Sequence, residues 1–104
     1  MIIIKTSSNK LSILKNIAKY LIKNKLAGCV NLLPGGTSFF NWESKVNENK
    51  EHFILIKTIK ANEKSIYQKI KKLHNYSIPE IITLKVNNID KSYNKWLKKV
   101  TSND

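Results

Sequence analysis

Nearly every residue equipped for unusual chemistry lies in three short stretches of the chain: Leu26 to Gly36, Ser38 to Glu43 and His74 to Ile82. Together these hold the lone cysteine (Cys29), one of two histidines (His74), both prolines, all three glycines and one of two tryptophans (Trp42). A thiolate, an imidazole and a carboxylate form a mixed donor set suited to copper or zinc, which makes Cys29, His74 and Glu80 the candidate metal ligands, supplied by different copies of the chain. Their spacing is not that of a zinc finger, and no two share a helical face. Each also has a plainer role: Cys29 can pack in a strand as a small hydrophobe, and His74 can meet the last carbonyls of a helix. A second set, Phe40, Trp42, Tyr76, Tyr93 and Trp96 with Lys45 and Pro79, suits the wall of a small-molecule cleft or an interface between copies. Lys45 is a candidate partner for Glu80, and His52 is expected only to decorate a strand.

At 104 residues the chain is long enough for one core, so a single domain over 1–104 is expected, with 101–104 as a polar tail. No apolar run approaches the twenty or so residues of a membrane span, and the start lacks a basic leader with a cleavable apolar segment; the expected compartment is the cytoplasm. The single cysteine rules out an internal disulfide. The net charge of +12 invites a nucleic-acid reading. Every basic residue is lysine, however, and the planar guanidinium fork that reads base edges and grips phosphates is absent. The lysines are spread through every segment, and the abundance of Lys, Asn and Ile reads as compositional drift. No nucleic-acid or membrane partner is expected.

The elements that must position these residues follow from periodicity. Ile2 to Thr6 reads as a strand, and Ser7-Ser8-Asn9 offers caps for a helix from Leu11 to about Asn24, whose apolar stripe includes Leu14, Ile17 and Leu21. Gly28 to Val46 reads as one long strand broken at Pro34-Gly35-Gly36. A bulge there would re-phase it, so that Val30 and Leu32 share one face and Phe40 and Trp42 another. Asn47 to Lys50 has turn composition, and Glu51 to Thr58 returns as the third strand. Asn62 is the expected cap of a second helix ending at His74-Asn75; Glu80 to Val86 is the fourth strand, and Asp90 caps a closing helix bearing Tyr93, Trp96, Leu97 and Val100.

The order βαββαβ plus a helix is the ferredoxin-like α+β pattern. An RNA-recognition module shares it, but the first strand here has no aromatic and the glycine-aromatic signature is missing. A small phosphatase of this fold needs an arginine, and no phosphate-cradling glycine loop or nucleophile-base pair is present, so the sequence reads as a non-enzyme with no organic cofactor. Strands two and three exceed what so small a sheet needs. Their hairpin should project, and an exposed edge of that kind invites pairing with another copy in a closed ring.

Ala27 with Cys29-Val30-Asn31, the Pro34-Gly35 break, Ser38, Trp42-Glu43 with Lys45, Glu51, Lys57-Thr58, His74 with Tyr76, Pro79-Glu80-Ile81 and Tyr93 with Trp96 together resemble the CutA family of divalent-cation tolerance proteins. The resemblance implies a ferredoxin-like fold with an extended hairpin, a homotrimer with PII-like architecture, and no established enzymatic activity. Departures are Gly28, Phe40, Ser44, Asn75 and Ser77, and Lys5 where some relatives carry a cysteine. The expected function is divalent-metal tolerance with binding of copper or another divalent cation; the alternative is a trimeric, PII-like signalling or scaffold protein that recognises a small ligand or protein at its clefts.

Overall fold

A computed structural model describes residues 1–101 of the chain. Its elements are β1 (Ile2–Ser8), α1 (Leu11–Lys23), β2 (Cys29–Trp42), β3 (Lys45–Thr58), a short 3-10 turn (Lys60–Asn62), α2 (Glu63–Leu73), β4 (Ile81–Lys85) and α3 (Lys91–Val100). The strands form one antiparallel sheet in the order β2-β3-β1-β4, the ferredoxin-like arrangement.

Strand alternation divides the sheet into two faces. Ile2, Ile4 and Thr6 of β1 pair with Thr58, Ile56 and Ile54 of β3, and this face lies under Leu14, Ile17 and Leu21 of α1 and Ile66 and Ile70 of α2. Most of these side chains are fully buried and apolar, and they form the core that holds the domain. The other face carries Ile3, Leu55, Phe53, Leu33, Ile82 and Leu84, of which the last three remain exposed. α3 covers only one end of it: a Cβ built on Gly28 would stand 2.4 Å from Leu97 Cδ1, so the helix seats directly on the backbone at the start of β2.

Local chemistry sets the boundaries. The Asp90 carboxylate accepts from the Tyr93 N–H at 3.0 Å, capping α3 as expected. Asn62 does stand at the start of α2, but it makes no capping bond; its Nδ2 donates instead to the Leu26 carbonyl and ties α2 to the end of the α1 loop. Ser7 and Ser8 remain in β1, and the Ser8 hydroxyl accepts from the Lys10 N–H. Thr101, expected at the head of a polar tail, is buried with its hydroxyl donating to the Leu97 carbonyl. The rest of that expected tail, 102–104, lies outside the described residues.

The long hairpin differs from expectation at its tip. The chain turns at Glu43-Ser44, both at positive φ (52° and 61°), and not at Asn47–Lys50, so β2 and β3 each run 14 residues. Two consecutive left-handed residues match the right-handed twist of a hairpin. Asn47 serves that turn from inside β3, its Nδ2 donating to the Trp42 and Lys45 carbonyls. The break at Pro34-Gly35-Gly36 is a bulge: Leu33 pairs with Phe53 but Gly36 with Glu51, one residue being inserted in β2. Gly35 takes φ 86°, and its N–H donates to His52 Nδ1 at 3.0 Å. His52 therefore holds the bulge and is more than decoration.

Candidate functional site

The bulge decides where the aromatic side chains go. Upstream, Val30 and Leu32 pair with Ile56 and Ile54 on the core face; downstream, Ser38, Phe40 and Trp42 pair with Asn49, Asn47 and Lys45, in phase with Glu51 and the uncovered face. Without the inserted residue they would point to the opposite side. On that uncovered side, where β1 ends and the arm leaves the domain, lies a cleft of about 680 Å³. Its arm side is Ser38, Phe39, Phe40 and Trp42, its polar floor Ser7, Asn49, Glu51 and Glu80, and its far wall the loop Tyr76 to Pro79.

Hydrogen bonds fix that loop to the domain. His74 Nε2 lies 2.7 Å from the Ser7 carbonyl, to which its N–H donates, and Nδ1 accepts from the Tyr76 N–H at 3.0 Å. The ring is the neutral tautomer with its proton on Nε2, and both nitrogens are engaged by backbone. Asn75 Oδ1 accepts from the Ser8 hydroxyl, while Asn75 Nδ2 donates to Asn9 Oδ1. The Tyr76 hydroxyl donates to Glu51 at 2.7 Å and accepts from the Asn9 N–H at 2.9 Å, linking arm, loop and the β1–α1 junction at one atom. Glu80 accepts from the Ser7 hydroxyl at 3.1 Å and from Lys5 Nζ at 3.3 Å. Lys5 also stands 5.2 Å from the centre of the Phe53 ring.

Burial, then the hydrogen bond to Glu51, pushes the Tyr76 phenol up to about 12 from an ordinary 10.0. The folded chain thus keeps a proton that the unfolded chain releases above pH 10. The stabilisation from this group is complete below pH 10 and is lost as pH rises through about 12. Urea midpoints measured from pH 8 to pH 12 should fall more steeply in the native chain than in Tyr76→Phe over the upper two units, and parallel curves would contradict this placement.

Of the residues singled out from sequence, Phe40, Trp42, Tyr76, Pro79 and Glu80 line the cleft. Lys45 sits at the arm's turn, and the partner of Glu80 within the chain is Lys5, not Lys45. Tyr93 and Trp96 stack on α3 with centroids 5.5 Å apart, and Lys57 reaches to 5.8 Å from the Tyr93 ring. These aromatics belong to the other end of the sheet, because Lys57 pairs with Ile3 and Cys29. Ser7, Ser38, Phe39, Asn49, Glu51, Ser77 and Ile78 also line the cleft and were not singled out as site residues; of these, Ser38 and Glu51 carried a signal as part of the family pattern, and Ser77 as a departure from it.

The three candidate metal ligands do not meet within one chain. Cys29 starts β2 at the level of Ile3, whereas His74 and Glu80 contact Ser7. That separation is roughly 13 Å along the strands, with two strand spacings, roughly 9.5 Å, across them. Among the described residues no three His, Cys, Asp or Glu side chains gather as a group able to hold a metal ion. With both ring nitrogens occupied, His74 offers no free lone pair, so within a single chain this donor set does not fit an ion.

Residues 1–100 match the family model described as CutA1 divalent ion tolerance protein. The chain is 37% identical over 87 residues to the divalent-cation tolerance protein CutA of Thermus thermophilus, with 84% of each chain covered. It is 35% identical over 89 residues to the chloroplastic protein CutA of Arabidopsis thaliana, covering 86% of this chain and 49% of that longer one. Among solved structures, the Thermus thermophilus divalent cation tolerance protein superposes with a TM-score of 0.93 at 32% identity, over 98% of this chain and all of that one. The CutA structure from Xylella fastidiosa gives 0.93 at 28% identity, over 97% of each chain.

Proposed function

Because the chain belongs to the CutA1 divalent ion tolerance protein family, we propose that it acts in divalent-metal tolerance as a cytoplasmic homotrimer, without enzymatic activity of its own, and that the assembly binds copper or another divalent cation. Among the described residues no helix is long and apolar enough to cross a membrane. The observation that carries the trimer is the arm: β2 is an edge strand of 14 residues with Phe39, Phe40 and Trp42 exposed at 67%, 42% and 56%, beside a sheet face that α3 covers at one end only. An open edge with an apolar flank is completed by pairing with another copy, and a closed ring leaves no edge over.

In this reading copper is held by ligands from different copies, Cys29 of one and Glu80 of another. His74 joins only by releasing the bond that orders its own loop. Titration of the native assembly with Cu2+ should show affinity lowered roughly tenfold or more by Cys29→Ser and by Glu80→Gln, the usual scale for losing a first ligand or its immediate support. His74→Ala should leave affinity nearly unchanged but cost about 1–3 kcal/mol in folding stability, because the Ser7 carbonyl and Tyr76 N–H lose their partner. Unchanged affinity in both the Cys29 and Glu80 variants removes the copper reading while leaving the family and the trimer untouched.

The cleft favours a second reading, a PII-like trimeric signalling or scaffold protein. Aromatic walls over a floor of Ser7, Asn49, Glu51 and Glu80 have the make-up of a small-ligand site. A thermal-shift screen of small metabolites against the native chain and Glu51→Gln separates the two: a ligand that stabilises only the native chain, without metal, belongs to this second reading.

A further inference from the structure

The lysines are spread along the sequence, but the fold gathers seven of them on α1 and α2, and four more stand on α3 at the other side of the sheet. On α1, Lys15, Lys19 and Lys23 follow one another at four-residue intervals, opposite the buried Leu14, Ile17 and Leu21, and all three are exposed. On α2, Lys64, Lys71 and Lys72 are exposed and turned away from the buried Ile66 and Ile70. Lys69 Nζ lies 4.3 Å over the Tyr20 ring and closes the seam between the two helices. α1 contains no carboxylate, and the one in α2, Glu63, is already paired with Lys60. Glu43, Glu48 and Glu51 lie on the arm and Glu80 in the cleft, away from this surface. A Debye length of about 8 Å at physiological ionic strength keeps those distant carboxylates from neutralising the helices.

We propose that the outer face of α1 and α2 binds a polyanion, and that its occupant is linear inorganic polyphosphate. Lysine ammoniums are compact point charges that attract phosphate oxygens without demanding a fixed geometry. The chain has no arginine to fork onto base edges. Neither helix has an exposed aromatic ring on which a base could stack. Ile22 is the only exposed large apolar side chain on either helix among the described residues, too little for insertion into a bilayer surface. What remains is recognition of dense negative charge on a flexible chain, driven by counterion release. The surface is complete in one copy and lies on the side of the sheet opposite the uncovered apolar face, so the proposal stands whether or not the trimer does.

Two quadruple variants of equal net charge test it. One replaces Lys15, Lys19, Lys64 and Lys71 with Gln; the other replaces Lys91, Lys95, Lys98 and Lys99 on α3. Binding of long-chain polyphosphate is measured by calorimetry across a salt series, with folding checked by thermal melts. The helix-face variant should lose roughly tenfold or more in affinity and about three units of salt slope, as four lost phosphate contacts predict, and the α3 variant less than roughly threefold. Equal losses in the two variants would overturn the proposal, since net charge alone would then explain binding. So would tighter binding to duplex DNA of matched phosphate number, or to vesicles of anionic lipid.

Discussion

Replacing Phe39, Phe40 and Trp42 together with serine is expected to leave a folded chain that no longer assembles. None of the three belongs to the core, whose members are Ile2, Ile4, Leu14, Ile17, Leu21, Ala27, Ile54, Ile56, Ile66 and Ile70. Their loss therefore leaves the interior of a single copy intact. In isolation they stand 67%, 42% and 56% exposed, and covering an aromatic side chain fully contributes about 1.5–3 kcal/mol. Three such residues in each of three copies amount to on the order of 10 kcal/mol of lost association, enough to move assembly out of the micromolar range. Sedimentation velocity should report single chains, while circular dichroism keeps the native signal. If the triple variant still sediments as the native protein does, the arm is not the principal contact between copies.

Gly36→Val should have the second largest effect, and for a different reason. A Cβ at Gly36 would stand 2.9 Å from the Glu51 carbonyl oxygen, which is backbone and cannot swing aside. The clash falls where β2 re-phases, so relief requires the Gly36–Glu51 pairing to open and the arm to lose its register. Crowding of this kind costs about 1–3 kcal/mol, or a fall in Tm of roughly 4–8 °C per kcal/mol for a domain this size. Because Glu51 also holds Tyr76, the same change should loosen the cleft's far wall, which faster exchange of the Tyr76 amide would report. A native Tm with native exchange would mean that the bulge tolerates a side chain and does not control the arm.

Element order and buried stripes were legible because each helix repeats its apolar residues at three- and four-residue spacing and each core strand alternates. The bulge was legible too, since Pro34-Gly35-Gly36 has few other uses within a strand. The turn was not: Asn47–Lys50 carries turn chemistry, whereas Glu43-Ser44, which adopts the two left-handed conformations, lacks it. Asn47 stabilises that turn from within the neighbouring strand, a role that composition cannot distinguish from being the turn itself. In the cleft, aromatic character betrayed Phe40, Trp42 and Tyr76 and the family pattern contained Glu51, but Ser7 and Asn49 enter through cross-strand register alone. The separation of Cys29 from Glu80 is a matter of strand direction. β2 and β4 run oppositely in this sheet, so residues at the start of each stand at opposite ends of it. His74 drew notice as a ligand because of its type; what type could not reveal is that, within one chain, both its ring nitrogens bond backbone and latch the loop to β1.

The assembled arm is the premise on which the proposed site depends, and native mass spectrometry of the purified protein tests it most directly. A dominant species at three times the 12.0 kDa chain mass is the predicted result. A dominant species at the mass of one chain, persisting as concentration is raised, would contradict it.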